Sequence, residues 1–346
     1  MKIAAADLAD RAACTEIHAF LAGADGAMLF HLPQWSRAVE KGCGARSHYL
    51  VSRASGGIEG LLPLSEIRSP LFGNALVSVG FAVGGGILTN DDACAAALAD
   101  AAWNLARQRG CASVELRGGP LPGGPWETEE DVYAGFANPL AADPESILLS
   151  IRKNQRAEVR RGLRAGLEFR FGRSAQELDD FYRTYAVSVR NHGTPVFPFA
   201  LFAAMLEEFG EAAEIGVAFY EGRPVSALFS FYFQGTASPY WGGGFPEARK
   251  LRANEALYYH SMCRAAARGC TRFDFGRSKV GTGPYAFKKF WGFEPVPFAY
   301  AVRAAGEGRR HINPLDPRNR LKVALWRRMP LALANRVGPL IARGLG

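Results

Sequence analysis

No run of about 18 uncharged apolar residues occurs in the 346-residue chain, so a membrane-crossing helix is not expected. The first eighteen residues, MKIAAADLADRAACTEIH, carry acids and no apolar centre, so they do not read as a secretory signal. Six cysteines (Cys14, Cys43, Cys94, Cys111, Cys263, Cys270) are scattered without a CxxC pair or a His-Cys cluster at zinc spacing. Reduced thiols in a cytoplasmic protein, and no metal centre, are expected. No heptad run is present, which excludes a coiled-coil arm.

What is there suffices for two domains. The chain is 48% hydrophobic and 21% charged, an ordinary balance that allows each half its own core. The net charge of +8 is uneven. Residues 152 to 173 hold eight Arg or Lys against Glu158 and Glu168, and residues 311 to 346 hold seven against Asp316. Each segment nets +6, leaving the remainder slightly acidic. Two basic patches imply anionic partners at two places, or solvated helix faces.

An internal repeat organises the chain. Residues 84 to 118 (GGGILTNDDACAAALADAAWNLARQRGCASVELRG) and 242 to 277 (GGGFPEARKLRANEALYYHSMCRAAARGCTRFDFGR) share a Gly triplet, an Ala-rich helix, Arg-Gly-Cys and an alternating strand. Glu115 aligns with Asp274. Similarity at about half the chain length means two copies of one domain. Boundaries are expected at 1–143, 144–306 and a basic tail at 307–346, with Asp143-Pro144 in a linker.

Periodicity and turn residues predict the second half in detail: a basic helix near 147–165, a strand at 167–171, helices near 175–190 and 198–209, and strands at 214–220, 223–233 and 236–242. A helix at 250–268, a strand at 271–275, a short helix at 284–290 and a last strand near 294–303 follow. The first half offers strands near 45–54, 57–66 and 75–81, a helix at 91–109 and a strand at 112–117.

Chemistry concentrates in FDFGRSKVGTGPYAFKKFWGFEP, residues 273 to 295. A loop with Gly276, Gly281 and Gly283 at a strand end lets backbone N–H groups approach an anion or carbonyl. Arg277, Ser278 and Lys279 would add polar contacts, and Tyr285, Lys288 and Lys289 follow on the short helix. Upstream, Arg249, Lys250, Arg252 and Asn254 lie near a helix N-terminus, where a donor's phosphates or plain solvent would be neighbours. Asp274 is a candidate base or a structural acid. His192, on a loop between helices, and Tyr240 and Trp241, at a strand end, are candidate substrate contacts or an exposed His and core aromatics.

Tyr285-Ala286-Phe287-Lys288-Lys289-Phe290-Trp291-Gly292-Phe293 resembles the Y-x-F-K-…-G-F signature of the FemAB family of transferases. The helix from Lys153 to Arg161 resembles the one opening their second domain. The 273–289 segment resembles the FemAB-like proteins of exosortase/PEP-CTERM exopolysaccharide systems. The resemblance covers most of residues 20 to 305. It implies an α/β fold of tandem duplicated GNAT-like domains, each a mixed, mostly antiparallel sheet flanked by helices. The predicted element order, β-α-α-β-β-β-α-β-α-β, is that of the GNAT fold.

The resemblance further implies transfer of an acyl or aminoacyl group to an amine or hydroxyl of a cell-envelope or exopolysaccharide-related acceptor of sugar or peptide type. Acyl-CoA or aminoacyl-tRNA would be the co-substrate, with no tightly bound cofactor. Lys288, or Lys289 as its near substitute, would take the catalytic place of the family's F-K lysine. Two departures bear on the donor: the missing coiled-coil arm weakens tRNA, and the missing Gly-x-Gly loop before the 250–268 helix weakens tight pyrophosphate wrapping. The tail, with Asp316-Pro317 as a helix start, Trp326, leucines and basic residues, is expected on an anionic membrane surface or on the protein itself. That gives a cytoplasmic protein, peripheral on the inner membrane in the first case. An RNA-binding reading of the 152–173 helix is the weakest, since its basic residues lack interleaved aromatics, and no DNA partner is expected. The alternative reading is a non-catalytic membrane-associated scaffold.

Overall fold

The computed structural model describes residues 1–306 and 320–346; the helix start expected at Asp316-Pro317 lies outside them. The strands in chain order are β1 (Lys2–Ala6), β2 (Arg46–Ala54), β3 (Gly57–Ile67), β4 (Ala75–Ser78), β5 (Ser113–Arg117), β6 (Glu127–Glu129) and β7 (Tyr133–Pro139). They continue as β8 (Glu168–Gly172), β9 (Ala213–Tyr220), β10 (Arg223–Phe233), β11 (Thr236–Gly244), β12 (Arg272–Lys279), β13 (Val296–Pro297) and β14 (Tyr300–Ala304). Two seven-stranded mixed sheets result, in the orders β1-β2-β3-β4-β5-β14-β6 and β13-β7-β12-β11-β10-β9-β8.

The sheets exchange strands. β7, from before residue 143, pairs antiparallel with β12 in the second sheet, and β14 pairs antiparallel with β5 in the first. The last strand expected for the second domain near 294–303 is therefore split: β13 stays in the second sheet on β7, and β14 joins the first. Its alternation satisfies either sheet equally, so only the pairing partner decides. A cut at residue 143 divides the sequence but not the sheets.

Helix ends follow local chemistry. Asp143 caps the helix Pro144–Ser150 by accepting from the Ser146 N–H, with Pro144 at its first position. The expected linker is thus a helix start. The basic helix is two pieces, Pro144–Ser150 and Lys153–Leu163, joined through extended Ile151 and Arg152. Gly110 and Gly193 close their helices in the left-handed conformation, at φ 67° and 84°. The hairpin turns Glu221-Gly222 and Gln234-Gly235 have positive φ at both residues, the geometry whose twist matches paired strands.

One core joins the halves. The helices Pro33–Cys43 and Phe199–Phe209 cross so closely that a Cβ on Gly42 would overlap the Leu201 backbone. Trp35, fully buried, stacks on Trp241 with centroids 5.7 Å apart, and its Nε1–H donates to the Gly80 carbonyl. Burying rings of this size, 150–250 Å² each, at about 25 cal/mol/Å² makes the contact a principal part of the stability of both halves. None of the six cysteines forms a disulfide.

The tail helices Arg320–Arg328 and Leu331–Ala342 pack on the helix Ala175–His192 of the second half, and the last residues reach Ser69 and Arg117 of the first. Val323 fills the space over Gly193, and Gly338 lies against Val196. Ala334, Gly338 and Ala342 form the buried face; Leu321, Leu325, Leu333 and Leu340 remain exposed.

Candidate functional site

The centre of the second sheet opens. β11 and β12 run parallel but pair only at Thr236↔Arg272 and Ala237↔Phe273. Beyond that, β11 stays on β10 as far as Gly244, while β12 turns to β7 as far as Lys279. The strands part into a V. A bulge leaves Tyr240 between the pairs Phe229↔Trp241 and Ser230↔Pro239, and a second interrupts β12 between Asp274 and Arg277.

Polar groups gather on β12 at this opening. The Asp274 carboxylate accepts from the Gly276 N–H at 2.7 Å, closing a tight turn at Gly276, whose φ of 67° suits glycine. Burial raises the Asp274 pKa against the opposing pull of that hydrogen bond and of Lys288. Lys288, on the helix Gly283–Phe290, is 9% exposed. Its ammonium donates to the Gly276 and Arg277 carbonyls at 3.0 Å each and lies 5.5 Å from the Phe136 ring centroid. Burial lowers its pKa to about 7, a fall that Asp274 resists and Arg277 reinforces. An ammonium has three N–H donors, so two backbone bonds leave one.

Arg277 spreads over Tyr133, 3.8 Å from its ring centroid, and donates to the Tyr300 hydroxyl. Tyr240 donates to the Phe81 carbonyl at 3.0 Å, and burial raises its pKa. Asp274, Arg277 and Arg117 are all near enough to act on that hydroxyl electrostatically. The opening thus brings together the predicted residues Asp274, Arg277, Lys288 and Tyr240. Ser278 is buried on the same strand, and Lys279 closes its end. Tyr285 packs edge-on against Phe136, and Lys289 lies 5.9 Å from the Tyr285 ring, partly exposed.

Other predicted residues lie apart from that cluster. Trp241 is buried among Trp35, Phe202, Phe229 and Phe231, as core. His192 ends the helix Ala175–His192 rather than standing on a loop; its Nδ1 meets the Ser188 carbonyl, and Arg327 of the tail donates to its carbonyl. The predicted 250–268 helix breaks at Arg252, which is left-handed at φ 53° and paired with Glu158. Asn254 Oδ1 accepts from Ser226 at 2.5 Å. Arg249 and Lys250 are exposed on the short helix Pro246–Leu251. Arg117, Tyr133 and Tyr300 were not anticipated, because they stand on the exchanged strands or beside them.

Residues 150–289 match the family model described as an acetyltransferase (GNAT) domain. No curated protein matches the chain. Among solved structures, FemX is similar over 87% of this chain and 97% of its own, at 14% identity and TM-score 0.68. The C-terminal domain of a lysylphosphatidylglycerol synthetase candidate from Agrobacterium fabrum covers 85% of this chain and 93% of its own, at 13% identity and TM-score 0.55. A tandem GNAT protein from the clavulanic acid biosynthesis pathway covers 88% and 98%, at 14% identity and TM-score 0.52. Residues 150–289 thus match a GNAT acetyltransferase domain, and the chain as a whole has a tandem GNAT-like fold similar to that of FemX.

Proposed function

We propose that the protein transfers an acyl or aminoacyl group to an amine or hydroxyl of a cell-envelope or exopolysaccharide-related acceptor of sugar or peptide type, in the opening between β11 and β12. The observation that carries this is the early parting of that strand pair with a buried lysine and a half-buried carboxylate at its mouth. A cleft at a strand opening is where a carbonyl can be held dry beside charged groups.

In this reading Lys288, as an ammonium, donates its remaining N–H to the carbonyl oxygen under attack. The acceptor nitrogen or oxygen forms the new bond to the carbonyl carbon. The C–S bond of an acyl-CoA, or the C–O ester bond of an aminoacyl-tRNA, breaks. The acceptor's proton passes to Asp274 and then to the departing thiolate or alkoxide, so charge balances. Arg249 and Lys250, exposed beside the V, supply a phosphate-facing edge for the donor, with Arg252 and Asn254 holding the turn. Ser278, Lys279, Tyr285 and Tyr240 line the acceptor side; Trp241, in the core, backs Tyr240, and His192 stands apart. Lys289 takes over the cationic role only if Lys288 proves structural. The exposed leucines and basic residues of the tail are suited to an anionic inner-membrane surface, where a lipid-linked acceptor would reside.

Thermal-shift titration of the full chain with acetyl-CoA, longer acyl-CoAs and charged tRNA tests the donor, because a ligand bound only by the folded state raises the Tm. A rise with one donor class, followed by loss of transfer in Lys288→Met, supports the reading. Full complementation in vivo by Lys288→Met would sink it and favour the scaffold alternative.

A further inference from the structure

We propose that the place where the two sheets exchange strands holds a carboxylate of the acceptor, received by the Arg277 guanidinium. This rests on the transfer reading above and adds the acceptor's chemistry to it.

Four elements build the place. Arg277 comes from β12, Tyr133 from β7, Tyr300 from β14 and Arg117 from β5. The Arg277 guanidinium carbon lies 3.8 Å from the Tyr133 ring centroid and 5.1 Å from that of Tyr300. The two rings lean on each other at 5.1 Å. Tyr300 accepts from Arg277 and donates its own O–H to the Val83 carbonyl at 3.2 Å, which fixes the phenol's direction. The neighbours of Arg277 are therefore neutral phenols, and no carboxylate pairs with it among the described residues.

The second arginine is differently placed. Arg117 is 7% exposed and donates to Glu115, to the Val79 and Ala82 carbonyls and to the Gly346 carbonyl. Four of its five N–H donors are engaged, which fixes its direction, and its charge reaches Arg277. Burial together with Arg117 lowers the Arg277 pKa, so the guanidinium is short of compensation. A desolvated cation without a counter-charge is costly unless an anion completes the site. Five N–H donors in a fixed plane, with Tyr300 and Tyr133 engaging two, leave donors that suit a flat two-oxygen anion. The Arg277 carbonyl receives the Lys288 ammonium, so an anion bound here shares the cleft with the proposed reacting carbonyl.

The test uses the intact chain at constant ionic strength, with chloride replaced by acetate or by phosphate at tens of millimolar. Acetate is expected to raise the Tm of the wild type and of an Arg170→Gln control by a few degrees. Arg277→Gln should abolish the response, and Arg277→Lys, which keeps charge but loses the planar fork, should retain less than half of it. If Arg277→Gln does not fold, the Arg277→Lys comparison decides. Absence of an acetate response, an equal response in both Arg277 variants and the wild type, or a response to phosphate without one to acetate overturns the proposal. Lys288→Met should keep the acetate response, so loss of transfer there and loss of anion binding are read separately.

Discussion

The parallel strand pair at the centre of each sheet meets opposite fates in the two halves. In the second, β11 and β12 separate after two residue pairs. In the first, β4 and β5 stay paired over Ala75↔Ser113 through Ser78↔Leu116. The chain that follows then closes the gap: the Gly86 N–H donates to the Arg117 carbonyl, and a Cβ on Gly86 or Gly119 would overlap main chain across the seam. Both halves carry a Gly triplet, used in opposite ways. Gly84–Gly86 lets two main chains touch, whereas Gly242–Gly244 ends β11 beside the open V. Duplication supplied two scaffolds, and the seam in one of them is now filled by its own backbone.

The same contrast appears in the buried titratable groups. In the first half, His31 is buried with its ring between the Met28 N–H and the Gly86 carbonyl, and burial lowers its pKa to about 4. Glu115, the repeat partner of Asp274, pairs with Arg117. These groups are locked into structure. In the second half, Lys288 is buried and Asp274 half-buried beside a gap.

The largest expected effect is on turnover. Lys288→Met should lower single-turnover transfer roughly 100- to 1000-fold, the cost typical of losing one oxyanion donor, with the near-ultraviolet circular dichroism preserved. Lys289→Met should change it by less than about threefold. An equal loss in both would erase the distinction between the buried and the partly exposed lysine.

Next in size is the closed seam. Gly86→Ala should destabilise the protein by about 3 kcal/mol in urea unfolding, because backbone must move on both sides. Gly276→Ala has open space around it and only its left-handed φ to strain, so about 1 kcal/mol is expected. Equal losses would mean that the first seam is no tighter than the second.

Stability against pH should also separate the halves. A lysine with a folded pKa near 7 binds fewer protons folded than unfolded between about 7 and its ordinary 10.5. Stability should therefore rise with pH across that window, by on the order of a few kcal/mol, and Lys288→Met should flatten the rise. His31, held near 4 against an ordinary 6.5, makes stability fall as pH drops through 6.5 toward 4. A His31→Gln variant, measured by urea midpoint, should lose that slope and leave the alkaline one intact. Transfer that needs the Lys288 ammonium should decline above about pH 7; a rate that climbs there would make the neutral amine a base instead.

The smallest effect concerns the exposed turn. Arg249→Ala with Lys250→Ala should leave stability within about 0.5 kcal/mol while weakening the donor's Kd about tenfold, as read by calorimetry. An unchanged Kd would remove these residues from the donor site.

Much of this architecture was legible in the residues. Alternation in 213–233, the Glu221-Gly222 and Gln234-Gly235 turns, the Ala-rich helices and Arg-Gly-Cys after each of them are local signals, and local backbone chemistry enforces them. Lys288 was legible as a candidate through its resemblance to the family's F-K motif, whereas its burial beside Asp274 was not. The break at Arg252 was not, because left-handed arginine has no sequence signature. The core position of Trp241 was not either, since a large aromatic at a strand end suits a cleft or a core equally.

What the sequence determined by itself is the set of elements, their order and their duplication, because periodicity, caps and turns act over a few residues. Tertiary structure alone decided that β7 and β14 change sheets, that the first strand pair closes while the second opens, and that Arg277 meets Tyr133 and Tyr300. Those outcomes depend on which edge a strand finds and which backbones can touch, and pairing between distant segments leaves no mark in a local pattern.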